Sequence, residues 1–322
     1  MKNFSRRISL TLLTIFIFAT TASAASTLIP GGQVIGLELR DDTVTVVAFD
    51  ETLGDAAEAA GLKTGDRILR IDDTAVRCAE DVRSALACSD GQVDLSIQRG
   101  TKTKKLKLQP PLTDDGPRLG VYLRQGTTGL GTVTYYDPAS GDFAALGHGV
   151  NAQNGELLQL HTGSFFEAQI ASVKKGKVGE PGQLLGSLTA LTPLGIIEKN
   201  TQQGVFGTAD KALKGEALPV AAPEQVRTGS AFIRSTVSGT GVREYSVEIL
   251  KIYPNAGNRT RNMLLKVTDP DLLAATGGIV QGMSGSPLVQ DGKLIGAVTH
   301  VLVNDPTMGY GIFIENMLEA AG

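Results

Sequence analysis

Along residues 34–39, 43–49, 67–71, 93–98 and 103–108, apolar and polar side chains alternate or β-branched residues cluster. This two-residue period predicts short strands, each half buried against a core. Between them the period lengthens. Residues 55–60 predict a helix stopped by Gly61, and residues 79–88, with Val82, Ala85 and Leu86 on one face, predict a second. Pro110-Pro111 and the turn cluster T-D-D-G-P at 113–117 then interrupt the pattern. They predict an exposed, extended linker over 111–117, separating a first domain at 30–110 from a second at 118–322. The second stretch is rich in strand signals and turn residues, and helical spacing returns only over 313–322. The fold class is therefore mainly β, with a small α+β domain followed by a β-barrel or sandwich.

The phrase A-A-E-A-A-G-L-K-T-G-D-R-I-L-R-I-D at 56–72, with the helix and strand pair that follow it, resembles the PDZ-domain signature of bacterial proteases. The resemblance implies that a peptide adds as a strand beside the second helix and that loop amides hold its terminal carboxylate. V-I-G-L-E-L at 34–39 would then supply the binding loop through Ile35, Gly36 and Leu37. Leu39, Val82 and Leu86 would line the pocket. Local pattern alone also allows Gly36 to be a strand bulge and the apolar residues to be core.

Composition narrows the class. The chain has 39 glycines, no tryptophan and 42 % hydrophobic residues, which fits a folded protein of short strands and many turns. A net charge of −3 without a long Lys/Arg run excludes a general nucleic-acid binder, and K-T-K-K-L-K at 102–107 reads as a solvated edge strand. Lys2, Arg6 and Arg7 precede an apolar stretch from Ile8 to about Ala19, followed by Ala22-Ser23-Ala24. This predicts a signal peptide over 1–24 and export of the remainder. The nine residues between Cys78 and Cys88 carry helical spacing. A helix of that length holds its ends about 15 Å apart, beyond the ~7 Å a disulfide spans, so two free thiols are expected. No metal-ligand spacing and no cofactor motif occurs.

The chemistry concentrates at G-G-I-V-Q-G-M-S-G-S-P-L-V-Q-D-G-K-L-I-G-A-V-T-H, residues 277–300. Ser284 sits between glycines in a turn, followed by a D-G hairpin and an apolar strand. A reactive serine needs such a turn, because glycines let the backbone approach a substrate and aim amides at one oxyanion position. The segment resembles the G-D-S-G-G-P nucleophile loop of chymotrypsin-like peptidases. That resemblance makes Ser284 the nucleophile and the amides of Gly282 and Ser284 the oxyanion hole. The base must come from His148, His161 or His300. His148, flanked by glycines at the end of an apolar strand, is preferred, with His300 next. For the acid that orients the imidazole, Asp269 in V-T-D-P is preferred over Asp142, while Asp137 in Y-Y-D-P reads as a turn residue. A Ser/Lys peptidase would instead require a lysine such as Lys293 beside Ser284.

Longer motifs then join these segments. Y-Y-D-P-A-S-G-D-F-A-A-L-G-H-G at 135–149, K-G-K-V-G-E-P-G at 175–182, V-T-D-P, T-G-G-I-V-Q-G-M-S-G-S-P and G-A-V-T-H-V-L-V-N-D-P-T-M-G-Y-G-I-F-I-E at 296–315 resemble the stage IV sporulation protein B serine peptidases of endospore-forming bacteria. The resemblance implies a PDZ domain ahead of a chymotrypsin-like, double β-barrel peptidase domain, with Ser284, His148 and Asp269 as catalytic residues. It further implies secretion into the space between forespore and mother-cell membranes. There the protein would cleave an extracytoplasmic regulator, and itself, to release an intramembrane protease that activates a late sigma factor. The expected partners are a protein substrate or peptide C-terminus at the PDZ domain and that membrane-embedded regulator. Two departures stand out: Asp269 lies close before the serine, where chymotrypsin-like peptidases place their acid far upstream, and the PDZ domain comes first. An exported, non-catalytic PDZ adaptor with a degenerate protease fold is the alternative.

Overall fold

A computed structural model describes residues 27–152, 155–211, 214–254, 257 and 259–322. The predicted signal peptide at 1–24 lies outside the described residues. The chain opens with β1 (Thr27–Pro30), β2 (Val34–Phe49), α1 (Asp55–Ala59), β3 (Arg67–Ile71), β4 (Thr74–Ala75), α2 (Ala79–Ala87), β5 (Val93–Arg99) and β6 (Lys102–Leu108). A short ribbon, β7 (Leu112–Thr113) and β8 (Gly116–Pro117), leads to β9 (Val121–Tyr136), β10 (Asp142–Ala145), β11 (Thr162–Lys174), β12 (Gln183–Thr201), β13 (Gly204–Ala209) and β14 (Leu218–Pro219). The last third comprises β15 (Gly229–Ser235), β16 (Arg243–Ile252), β17 (Met263–Val267), α3 (Pro270–Thr276), β18 (Pro287–Gln290), β19 (Lys293–Leu302), β20 (Asp305–Phe313) and α4 (Ile314–Ala321).

Two barrels result. In the first, the antiparallel pairings run β2 to β9, β10, β13, β12, β11 and back to β2, closing a ring of six strands. Inward side chains of its strands fill the centre: Ile35, Leu37, Leu39, Phe143, Phe165 and Val205 are buried together. The rings of Phe143 and Phe165 stand 4.1 Å apart, an arrangement worth about 1 kcal/mol beyond area burial. The second barrel closes in the order β15-β16-β17-β20-β19-β18 around Ile233, Val247, Leu265, Leu288 and Val298. Both rings satisfy their ladder hydrogen bonds by closure, which removes exposed edges.

The PDZ-like module forms a third core from Val44, Val46, Ile68, Val82, Leu86, Leu95 and Ile97. Its β6 is the end strand of the sheet, with Lys102, Lys104 and Lys105 exposed, as the basic alternation predicts. Inside the module, the buried carboxylate of Asp66 accepts from Arg99 Nε and Nη2 at 2.7 and 2.6 Å and from Lys63 N at 2.8 Å. A fully buried carboxylate is tolerated because both oxygens are hydrogen-bonded and its charge is paired with the Arg99 guanidinium. Cys78 and Cys88 flank α2 as free thiols.

One expectation changes here. The segment 34–49 is a single strand rather than two, and it serves two modules. Residues Val34 to Leu39 pair with β9 and β11 in the first barrel, while Val44 to Phe49 pair with β3 and the start of β9 in the PDZ-like sheet. β9 divides in the same way. The interruption is at 40–43, where the register with β9 shifts. The predicted linker at 111–117 is a small hairpin rather than an extended tether, and Leu119 beyond it returns to the PDZ-like core.

A fragment covering residues 41–126 is expected to melt cooperatively, because it carries both halves of the shared ribbon that belong to the PDZ-like sheet. A fragment ending at residue 110 loses Leu119 burial, about 2 kcal/mol, and the 121–125 strand. It is expected to unfold without a sharp transition by circular dichroism. Equal cooperativity in the two fragments would show that the returning strand is dispensable.

Candidate active site

Ser284 and His148 come from different barrels. His148 follows β10 of the first, and Ser284 lies in the turn leading into β18 of the second. Both line one cleft of about 1320 Å³, together with Gly282, Thr299 and His300. The same cleft extends past Leu37, Leu39 and Thr127 to Leu130.

The loop that carries Ser284 is fastened to the first barrel by two buried threonines of β9. Thr132 Oγ1 donates to Gly282 O at 2.8 Å, Thr134 Oγ1 donates to Gly285 O at 2.8 Å, and Thr132 N donates to Ser284 O at 3.1 Å. Thr132 O in turn accepts from Leu146 N at 3.3 Å, two residues before His148. Gly285 allows this approach: at φ +94°, a Cβ built on it would stand 2.1 Å from Thr132 O and 2.4 Å from Leu146 N. On the histidine side, Gly147 N donates to Ala145 O, a γ-turn centred on Leu146 at φ 72°. A branched side chain at positive φ is strained, and such strain gathers where a side chain must be held in one direction.

Within the loop, the amides of Met283, Gly285 and Ser286 donate to Val280 O, Val298 O and Met283 O. Those of Gly282 and Ser284 have no acceptor among the described residues. Two free amides beside a serine hydroxyl form a ready site for a developing oxyanion. Ser284 Oγ itself donates to Thr299 O at 2.8 Å rather than to His148. Rotation about its Cα–Cβ bond re-aims that hydroxyl within the cleft.

His148 Nδ1 bonds Gly149 O at 2.9 Å. A carbonyl only accepts, so Nδ1 carries the proton and Nε2 keeps its lone pair. Burial pushes the His148 pKa below the ordinary imidazole value, and the bond to Gly149 O partly offsets that. The His300 ring lies 5.2 Å from that of His148. Burial, then the neighbouring His148 and Arg261, push the His300 pKa down to about 4. Both rings are therefore neutral at pH 7. As the pH falls from the unfolded-state value near 6.5 toward about 4, the unfolded chain takes up the His300 proton first, so the contribution of this site to stability declines over that window.

Several expected residues lie elsewhere. Asp269 does not meet His148: its Oδ1 accepts from Leu272 N at 3.0 Å and its Oδ2 from Ser246 N at 3.3 Å, as the N-cap of α3 with Pro270 next. Asp-Pro at a helix start is an ordinary capping arrangement. Asp142 is exposed on β10, and Asp137 accepts from Ala139 N in a turn. His161 pairs with exposed Asp42. Lys293 donates to Gln225 Oε1 and does not line the cleft.

The peptide-binding loop expected from Ile35, Gly36, Leu37 and Leu39 is likewise corrected. These residues are paired on both sides within the first barrel, so their amides serve the ladder and cannot form an open carboxylate loop. Val82 and Leu86 are buried in the PDZ-like core, a different cluster. Sequence reasoning passed over Thr132, Thr134 and Thr299, whose roles depend on long-range hydrogen bonds that local pattern does not encode.

Gly285→Ala is expected to retain the β-rich circular dichroism spectrum while lowering the melting temperature and displacing the Ser284 loop. Thr134→Val, which keeps the volume but removes the bond to a buried carbonyl, is expected to cost about 1–3 kcal/mol. A thermal melt followed by circular dichroism measures the first, and denaturant titration the second. A Thr134→Val variant as stable as the parent would show that the threonine bond contributes nothing to holding the loop.

Residues 116–318 match the family model described as SpoIVB peptidase S55, and residues 33–109 match that of the PDZ domain. The Agrobacterium fabrum (strain C58) protein Atu1380, named as a zinc metalloprotease, is 34 % identical over 89 residues, 27 % of this chain. The chain spans only 22 % of that relative's length. A crystal structure of Rv3671c from M. tuberculosis H37Rv, a serine-to-alanine mutant in an inactive form, aligns at a TM-score of 0.32 and 15 % identity, covering 59 % of this chain and 78 % of that one. The first of these matches takes in more than half of the residues, and the chain belongs to the SpoIVB peptidase S55 family, with a PDZ domain ahead of its peptidase domain.

Proposed function

We propose that the protein is an exported serine endopeptidase in which Ser284 is the nucleophile, His148 the general base, and the amides of Gly282 and Ser284 the oxyanion hole. The observation that carries this reading is the meeting of Ser284 and His148, from separate barrels, in one cleft beside two acceptor-free amides. Ser284 Oγ leaves Thr299 O and attacks a peptide carbonyl as its proton passes to His148 Nε2. The carbonyl oxygen gains negative charge and takes the two amide hydrogen bonds. His148 then returns the proton to the departing amine, and water repeats the sequence on the acyl-enzyme. The bond from His148 Nδ1 to Gly149 O holds the tautomer that this requires.

The family supports a finer reading: the substrate is an extracytoplasmic regulator of an intramembrane protease in sporulation signalling, and the chain also cleaves itself. Its place of action is the space between the forespore and mother-cell membranes. No helix among the described residues is long and apolar enough to cross a membrane. The PDZ domain supports binding of a protein substrate or a peptide C-terminus, at a surface other than the 34–39 strand.

A fluorophosphonate probe is expected to label the parent at Ser284, with labelling lost in Ser284→Ala and reduced at least a hundredfold in His148→Ala. Labelling that persists undiminished in both variants would favour the non-catalytic adaptor. Because burial lowers the His148 pKa, the base form persists below the usual imidazole range. The rising limb of the labelling rate against pH is accordingly expected to have its midpoint below 6.5. A midpoint above 6.5 would contradict the neutral, buried imidazole.

A further inference from the structure

The peptide unit that holds His148 is itself held from the other side. Gly149 O, which accepts the His148 Nδ1 proton, and Val150 N belong to one planar amide. Val150 N donates to Asn200 Oδ1 at 2.9 Å. Asn200 Nδ2 donates to Val150 O at 2.9 Å and to Leu158 O at 2.8 Å. The acceptor and both donors of the carboxamide are thereby used, which fixes which end is oxygen and which nitrogen. Asn200 stands at the end of β12, paired with Val205 of β13, so it projects from the wall of the first barrel rather than from the loop it braces.

Leu158 anchors the loop in the first-barrel core, with Val150 and Ala152 packed beside it. Leu158 N donates to Val150 O and Ala152 N to Glu156 O, both within the loop. Gly149 packs directly over the end of β12, where a Cβ would stand 2.4 Å from Thr201 O. The loop and the end of β12 are thus in contact, with Asn200 supplying the side-chain bonds across the junction.

We propose that Asn200 is a positioning residue for His148. Through the Gly149–Val150 peptide it sets the direction of the carbonyl that fixes the imidazole tautomer, a task usually met by a triad carboxylate. Donating the Val150 N–H to Asn200 Oδ1 also shifts electron density toward the carbonyl oxygen of the same amide, which strengthens that oxygen as acceptor. The relay runs from imidazole N–H to carbonyl, across one amide, to the carboxamide oxygen. No proton leaves the relay during the reaction; its contribution is orientation and stabilisation of the imidazolium. The Asp269 carboxylate, bonded to Leu272 N and Ser246 N, takes no part in these bonds. This inference rests on the reading of His148 as the base.

The test compares the parent, Asn200→Ala, Asn200→Asp and His148→Ala, using the full exported chain and the fluorophosphonate probe. In Asn200→Ala the maximal labelling rate is expected to fall about 10- to 100-fold, with the probe concentration at half-maximal rate unchanged. Nitrogen NMR of ring-labelled histidine is expected to show the Nδ1–H tautomer of His148 in the parent and a mixture of tautomers in Asn200→Ala. A merely structural asparagine would not move the tautomer ratio. Asn200→Asp retains an acceptor for Val150 N but sets a carboxylate against two carbonyls, and an intermediate loss is expected; it decides the question if the alanine variant does not fold. Parent-like rates and tautomer in the folded Asn200 variants, with His148→Ala impaired, would overturn this inference and leave the base assignment standing. Parent-like rates in His148→Ala would overturn the base assignment instead.

Discussion

Thr132 ties the two barrels together at the point where their chemistry meets. Its amide holds Ser284 O, its hydroxyl holds Gly282 O, and its carbonyl receives Leu146 N on the way to His148. The neighbouring hydroxyl of Thr134 holds Gly285 O. Each bond joins groups that are wholly or largely buried, so breaking one leaves a polar group without water to replace its partner. Placement of the serine relative to the histidine therefore follows from barrel packing, with Gly285 of the serine loop seated directly against Leu146 of the histidine segment. The missing side chain at Gly285 is the steric condition for this arrangement.

The long strands β2 and β9 extend that rigidity beyond the peptidase half. Each passes from the PDZ-like sheet into the first barrel, their mutual pairing interrupted only at the register shift between Leu39 and Val44 and at a second shift between Val46 and Ala48. Leu39 and Thr127, at the barrel end of this ribbon, line the same cleft as Ser284. The PDZ module is consequently joined to the cleft by paired backbone as well as by the 111–117 hairpin. A register-specified ribbon of this kind cannot slide by one residue without turning its apolar face outward.

Much of the secondary structure was legible from residue pattern. The helices at 55–59 and 79–87, the basic edge strand and the closing helix all follow from spacing and caps, which are local properties. The Ser284 loop was legible because glycines at φ near +95° leave a signature in the sequence. The fate of 34–39 was not, since alternation says that a strand has one buried face without saying which sheet receives it. Asp269 was misread for a related reason: V-T-D-P is compatible with a triad acid and with a helix cap, and only the position of Ser246 and Leu272 separates the two. Asn200 was invisible, because nothing around it in the chain shows that it faces a loop fifty residues earlier.

In the proposed mechanism one cleft, assembled from both barrels, presents a serine hydroxyl, an imidazole nitrogen and two oxyanion donors to the same reacting centre. A crystal structure of the phosphonylated protein tests this most directly. The expected adduct has phosphorus bonded to Ser284 Oγ, one phosphonyl oxygen within about 3 Å of both the Gly282 and Ser284 amide nitrogens, and His148 Nε2 facing it with Nδ1 still on Gly149 O. Phosphorus on another residue, or an adduct at Ser284 with those amides turned away and His148 out of reach, would contradict it.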